Sequence, residues 1–118
     1  MRYMLIIHND PELHPQPGGP GWDQLMADYA AFSEQLGSYT GDPLNGPETA
    51  TTVRVRDGEA LLTDGPAAEI KEQFGGYTLI ECAGLDEALR WAATVPTAFN
   101  GSVEVRPVVQ IPDRGVPG

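Results

Sequence analysis

Apolar residues run almost unbroken from Tyr3 to Ile7 until His8, Asn9, Asp10 and Pro11 stop them, a pattern that predicts a short buried strand ending at His8. Residues 9 to 21 hold Pro11, Pro15, Pro17 and Pro20 with Gly18, Gly19 and Gly21, a composition that neither continues a helix nor donates to a central ladder. A surface loop is expected there. Trp22, Leu25, Met26, Tyr29, Phe32 and Leu36 then recur at three- and four-residue spacing, which predicts one inward-facing helical stripe ended by Gly37 in a left-handed conformation. Gly41 to Pro47 reads as a turn-rich connection. From Thr51 to Arg56 the chain alternates, with Val53 and Val55 on one face and Thr52, Arg54 and Arg56 on the other, as a half-exposed strand does. Asp57-Gly58 is a type I′ hairpin signal, so Glu59 to Thr63 should return antiparallel. Gly76 to Cys82 predicts a further strand. Asp86 is the expected N-cap of a second helix whose inward residues are Leu85, Ala88, Leu89, Ala92 and Val95 and which Pro96 ends. Ser102 to Ile111 alternates around Val103 and Val105 as a last strand.

Strand, helix, strands, helix, strand in this order suggests an α+β domain on the split β-α-β, ferredoxin-like βαββαβ plan, with both helices on one face of an antiparallel sheet. The second face then needs cover that a small chain cannot supply. A homodimer packed sheet on sheet is the economical solution.

The chain has 118 residues, enough for one modest core, and residues 1–112 are expected to form a single domain followed by a tail, 113–118. Seventeen acidic residues against seven basic ones give a net charge of -10. The average field therefore repels nucleic acid and anionic lipid, and direct nucleic-acid binding is not expected. The basic residues are scattered rather than clustered, although folding can gather Arg54, Arg56 and Arg106 on one face. No stretch approaches the roughly 20 apolar residues that cross a bilayer, and the short apolar start followed by Asn9-Asp10-Pro11 does not read as a signal peptide. No membrane association is expected, and a cytoplasmic location is. The single cysteine, Cys82, rules out an intrachain disulfide, fits a reducing compartment and reads as a core residue.

The stretch from Asp64 to Tyr77 crowds charge into a glycine- and proline-shaped loop between two strands, and holds the only lysine, Lys71, between Glu69 and Glu72. Asp64 can serve as a general base, or can simply cap the Gly65-Pro66 turn. Lys71 can hold an anion or form a solvated ion pair with its acidic neighbours. Glu69, Gln73 and Tyr77 complete the candidate ligand contacts, with packing the plain alternative for Tyr77. His8 ends the expected central strand, where an imidazole can exchange a proton near neutral pH or be held structurally. His14, in the proline-glycine loop, is expected to be exposed. His8 or His14 with Asp10 lacks the three or four convergent ligands of a metal site, so no metal is expected. No phosphate-binding glycine loop or nucleophile elbow is present, and no cofactor is expected.

Thr51-Thr52-Val53-Arg54-Val55-Arg56-Asp57-Gly58, Asp64-Gly65-Pro66, Lys71-Glu72-Gln73-Phe74-Gly75-Gly76-Tyr77, Asp86-Glu87-Ala88-Leu89 and Gly101-Ser102-Val103-Glu104-Val105-Arg106-Pro107 stand in an order and spacing that closely resembles the YCII-related family. More narrowly they resemble its branch marked by an Asp-Gly-Pro-Phe motif, with Ala67 in place of the phenylalanine. The resemblance implies a dimeric α+β barrel. It also implies a choice of roles. A histidine–aspartate pair has been proposed for related proteins, one of which is implicated in dechlorinating an aromatic ring; here the helix from Trp22 to Leu36 contains no histidine. One expectation is thus a small-molecule-binding homodimer catalysing proton transfer or elimination on a compact cyclic or phenolic compound, through His8 and Asp64 with Lys71 as an anion contact. The other is a non-catalytic sensing or interaction module associated with an extracytoplasmic-function sigma-factor pathway, since genes for such proteins neighbour those factors.

Overall fold

The computed structural model describes residues 1–37, 40–68 and 70–111. Strand β1, Arg2–Asn9, buries Tyr3, Leu5 and Ile7 and leaves Met4, Ile6 and His8 half-buried on its other side, the period-two signature of a sheet with one packed face. Helix α1 spans Trp22–Leu36 and ends where Gly37, at φ 81°, donates its N–H to the Ser33 carbonyl. Its inward stripe is the predicted one, yet only Phe32 is fully buried.

Strand β2, Thr40–Pro43, lies inside the segment expected to be a turn-rich connection. Its glycine and proline hide it from strand propensities, but proline is tolerated on a sheet edge. Gly41 is needed there for close approach: a Cβ at this position would stand 2.8 Å from Thr78 Cα and would collide with the Tyr77 carbonyl oxygen. A short 3-10 turn, Pro47–Thr49, leads into β3, Thr51–Arg56, and β4, Glu59–Asp64. The Asp57-Gly58 turn between them has both φ angles positive, 52° and 78°, as a type I′ turn requires.

Strand β5, Gln73–Glu81, buries Gly76, Thr78 and Ile80 in alternation. Helix α2, Leu85–Ala93, is capped by Gly84 rather than by Asp86, which sits inside the first turn. The Ala83 N–H finds a partner in the Glu87 carboxylate at 2.8 Å. Its buried residues are Ala88 and Ala92, while Leu85 and Leu89 are 49% and 48% exposed. The helix is rotated from the expected face because its small residues allow close approach to the sheet and Trp91 packs edge-on against Phe32, ring centres 6.3 Å apart. A second 3-10 turn, Pro96–Phe99, precedes β6, Ser102–Pro107, which is shorter than the predicted strand to Ile111.

The main sheet has the order β2-β5-β1-β6 with every neighbouring pair antiparallel. Thus β1 and β2, joined through α1, flank β5, and β5 and β6, joined through α2, flank β1. Tyr3, Leu5, Ile7, Ile80 and Cys82 meet Phe32, Ala88, Ala92 and Val95 in one core, so both helices cover the same sheet face. The protein is therefore a small α+β fold with an antiparallel sheet and two helices. Strands β3 and β4 pair only with each other. Their register sets Val53 opposite Leu62 and Val55 opposite Ala60, and Val53, Val55 and Leu62 are 58%, 61% and 70% exposed. Register also gathers Met4, Ile6, Tyr77, Leu79, Glu104 and Arg106 on the sheet face opposite the helices. Among the described residues, no helix is long and apolar enough to cross a membrane.

Candidate functional site

His8, Asp64 and Lys71 occupy three different settings. His8, next to last in β1, lies on the face away from the helices, with its ring edge-on to Phe74 at 6.1 Å and Nε2 3.3 Å from Glu104 Oε1. The other oxygen of Glu104 accepts from Arg106 Nε at 2.6 Å. The Arg106 hydrogen bond, and after it that of His8, holds the Glu104 carboxyl below its ordinary 4.5. Sequence reasoning missed Glu104; its signal was the Glu-x-Arg spacing, which puts residues 104 and 106 on one face of a strand.

Asp64 is exposed at the end of β4, opposite Thr51. The turn after it is held by its neighbours, with the Gly65 N–H on the Ala50 carbonyl at 2.8 Å and the Thr52 hydroxyl on the Gly65 carbonyl at 2.7 Å. Lys71 extends into solvent, its Nζ 3.9 Å from Oδ2 of the buried Asp10. Asp10 organises the chain after β1: its carboxylate accepts the Glu12 N–H at 3.0 Å, and its carbonyl accepts the Leu13 and His14 N–H groups, each at 2.9 Å. Gln73 donates to the Ile70 carbonyl, and the Tyr77 hydroxyl donates to Asp42 Oδ2 at 3.4 Å. Glu69 lies outside the described residues, as does the 113–118 tail. Among the described residues no group of three or more metal-ligating side chains converges.

A cavity of about 320 Å³ opens between α1, the loop after β1, the connection after β2 and the β5 edge. It is the reason the α1 stripe is only half-buried: Trp22, Leu25, Met26, Tyr29 and Phe32 face this space instead of packed side chains. Of the predicted site residues, Tyr77 borders it at the β5 edge while its side chain projects from the opposite sheet face with Asp42; His8, Asp64, Lys71 and Gln73 do not. His14 does line it, contrary to the exposure expected for a proline-glycine loop. The Asp10 carbonyl turns the chain back so that His14 stands in the cavity wall, and its Nδ1 is buried, with no hydrogen-bond partner among the described residues. Burial pushes the His14 pKa below 6.5, which favours the neutral ring. Deeper in, the Tyr29 hydroxyl and Thr97 Oγ1 stand 2.6 Å apart. Burial raises the Tyr29 pKa above 10.0 and outweighs the opposing hydrogen bond to Thr97. An apolar cleft of this size, walled by aromatic side chains, can bind a compact ring compound.

Residues 1–112 match the YCII-related domain. The chain is also similar to an uncharacterised protein of Rhizobium meliloti (strain 1021), 35% identical over 117 residues covering 92% of each chain. With the domain match spanning both helices and every strand, the chain belongs to the YCII-related family.

Proposed function

We propose that this protein is a small-molecule-binding homodimer of the Asp-Gly-Pro-Phe branch, with its ligand in the α1 cavity and proton transfer or elimination on a compact cyclic compound as its reaction class. The observation that carries this reading is the apolar cavity itself, walled by Trp22, Leu25, Met26, Tyr29 and Phe32 of α1 with His14 at its rim. The interleaved strand order supports a ferredoxin-like plan with the β3–β4 hairpin inserted. The half-buried Met4, Ile6 and Leu79 of the free sheet face suit a sheet-to-sheet dimer, which would enclose His8 and Glu104 between protomers. In that assembly His8 sits at the dimer seam rather than in the cavity.

A thermal-shift screen of small cyclic alcohols, phenols and amines tests the cavity. Native protein should be stabilised by about 2.7 kcal/mol when a ligand stands at about 100 times its dissociation constant. Met26→Trp, which fills the space, should abolish the response, and His14→Ala should weaken it. A response that survives Met26→Trp would sink the cavity reading. The exposed Val53, Val55 and Leu62 favour a second reading, a sensing module of a sigma-factor pathway that uses the hairpin as its protein contact. A Leu62→Lys variant that keeps ligand binding but loses a co-purifying partner would support it.

A further inference from the structure

We infer that the cavity takes a neutral ligand, a compact ring carrying an amide-like pair of hydrogen-bonding groups such as a carboxamide or a lactam. The inference rests on the cavity being the ligand site and specifies what fills it. Among the described residues no lysine or arginine lines the space. Its acidic neighbours are turned elsewhere: Asp42 shares the opposite sheet face with Tyr77, and the Glu48 carboxylate folds back over Gly46. Burial favours the neutral form of His14. A ligand charged with either sign would shed its water here and meet no counter-charge.

Strand alternation supplies neutral polar groups instead. Asn9 follows Tyr3, Leu5 and Ile7 on the helix-covered side of β1, and Thr78 stands opposite Leu5 on the same side of β5. Both line the cavity, and among the described residues neither the Asn9 carboxamide nor the Thr78 hydroxyl makes a hydrogen bond within the chain. Two glycines leave them room. A Cβ on Gly75, the extra residue where the β1–β5 register shifts, would collide with Asn9 Nδ2, and a Cβ on Gly41 would stand 3.1 Å from Thr78 Oγ1. A carboxamide side chain offers an acceptor and two donors, so it can pair with a ligand amide through two hydrogen bonds at once, which a ketone cannot match. Trp22, Tyr29 and Phe32 wall the space for the apolar ring.

Four single-ring probes of similar size decide the matter: benzamide, acetophenone, benzylamine and benzoate, each titrated into the full chain by calorimetry at neutral pH. Benzamide should bind about tenfold more tightly than acetophenone, equivalent to about 1.4 kcal/mol, and the two charged probes should not bind. Asn9→Leu, close to asparagine in shape, should bring benzamide and acetophenone to equal affinity, and Thr78→Val should narrow the gap between them. Either charged probe binding native protein as tightly as benzamide, benzamide and acetophenone binding it equally, or the benzamide advantage surviving in Asn9→Leu, would overturn the neutral amide preference and leave the cavity as a ligand site. No binding by any of the four, or binding unaltered in Met26→Trp, would overturn the cavity reading and this inference with it.

Discussion

Desolvation makes the folded chain bind a proton at His14 less readily than the unfolded chain does. Above pH 6.5 the ring is neutral in both states and contributes no pH dependence. As pH falls through 6.5 the unfolded chain protonates first, so stability declines until the folded ring protonates too. The unfolding midpoint should therefore drop more between about pH 7 and about pH 5 in native protein than in His14→Gln. Equal drops would remove His14 as a titrating buried group. Glu104 is shifted in the same direction: its contribution is present above 4.5 and is lost as pH falls through its lower folded value, a separate and more acidic limb. Arg106→Gln should return the Glu104 pKa toward 4.5, measurable by carboxyl NMR; an unchanged value would show that the 2.6 Å contact is not what lowers it. At this scale the sequence read one histidine's setting and missed the other's. His8 was legible as a strand end. His14 was not, because the turn that buries it is made by backbone hydrogen bonds to Asp10, which residue types in a proline-glycine loop do not reveal.

Helix α1 was legible to its last residue because a 3.6-residue stripe and a terminal glycine are both local signals. Strand β2 was not, since its position depends on an edge of β5 far away in sequence. The same dependence makes Gly41→Ala informative. The added methyl meets backbone on β5 that cannot swing aside, so the variant should lose about 1–3 kcal/mol, a fall of several degrees in the unfolding midpoint. Because β2 and the connection after it form one wall of the cavity, ligand response should fall as well. Gly75→Ala provides the contrast: its methyl would meet the end of the Asn9 side chain, which can rotate away. Equal losses in the two variants would mean that the β2 edge is not rigid. Helix α2 shows how amphipathic reading errs, since alanine and leucine carry the same apolar label while alanine alone fits where helix and sheet backbones approach closely.

The whole chain has a radius of gyration of 16.2 Å, against about 13.5 Å for a compact domain of this length. It exposes 8129 Å², where about 6,200 Å² is typical of a monomer of 12.7 kDa. A standard dimer interface covers about 800 Å² on each partner, so the excess is ample for one. Light scattering at micromolar concentration should give twice the 12.7 kDa chain mass, and Ile6→Lys with Leu62→Lys should halve it. A native monomer would refute the association. That one sheet face would lie away from both helices was legible from the order of elements, whereas the self-paired hairpin that enlarges the surface was not, because no local pattern says which sheet a strand joins. The pairing of β1 has a further consequence for biosynthesis. Both its neighbours, β5 and β6, come from the later part of the chain, so Leu5, Ile6 and Ile7 leave the ribosome long before any partner strand exists. The β3–β4 hairpin can close within microseconds, but β1 must wait until residues 73 to 81 have been synthesised. Through that interval the nascent protein carries β1 as an unpaired apolar strand, the segment most in need of chaperone protection.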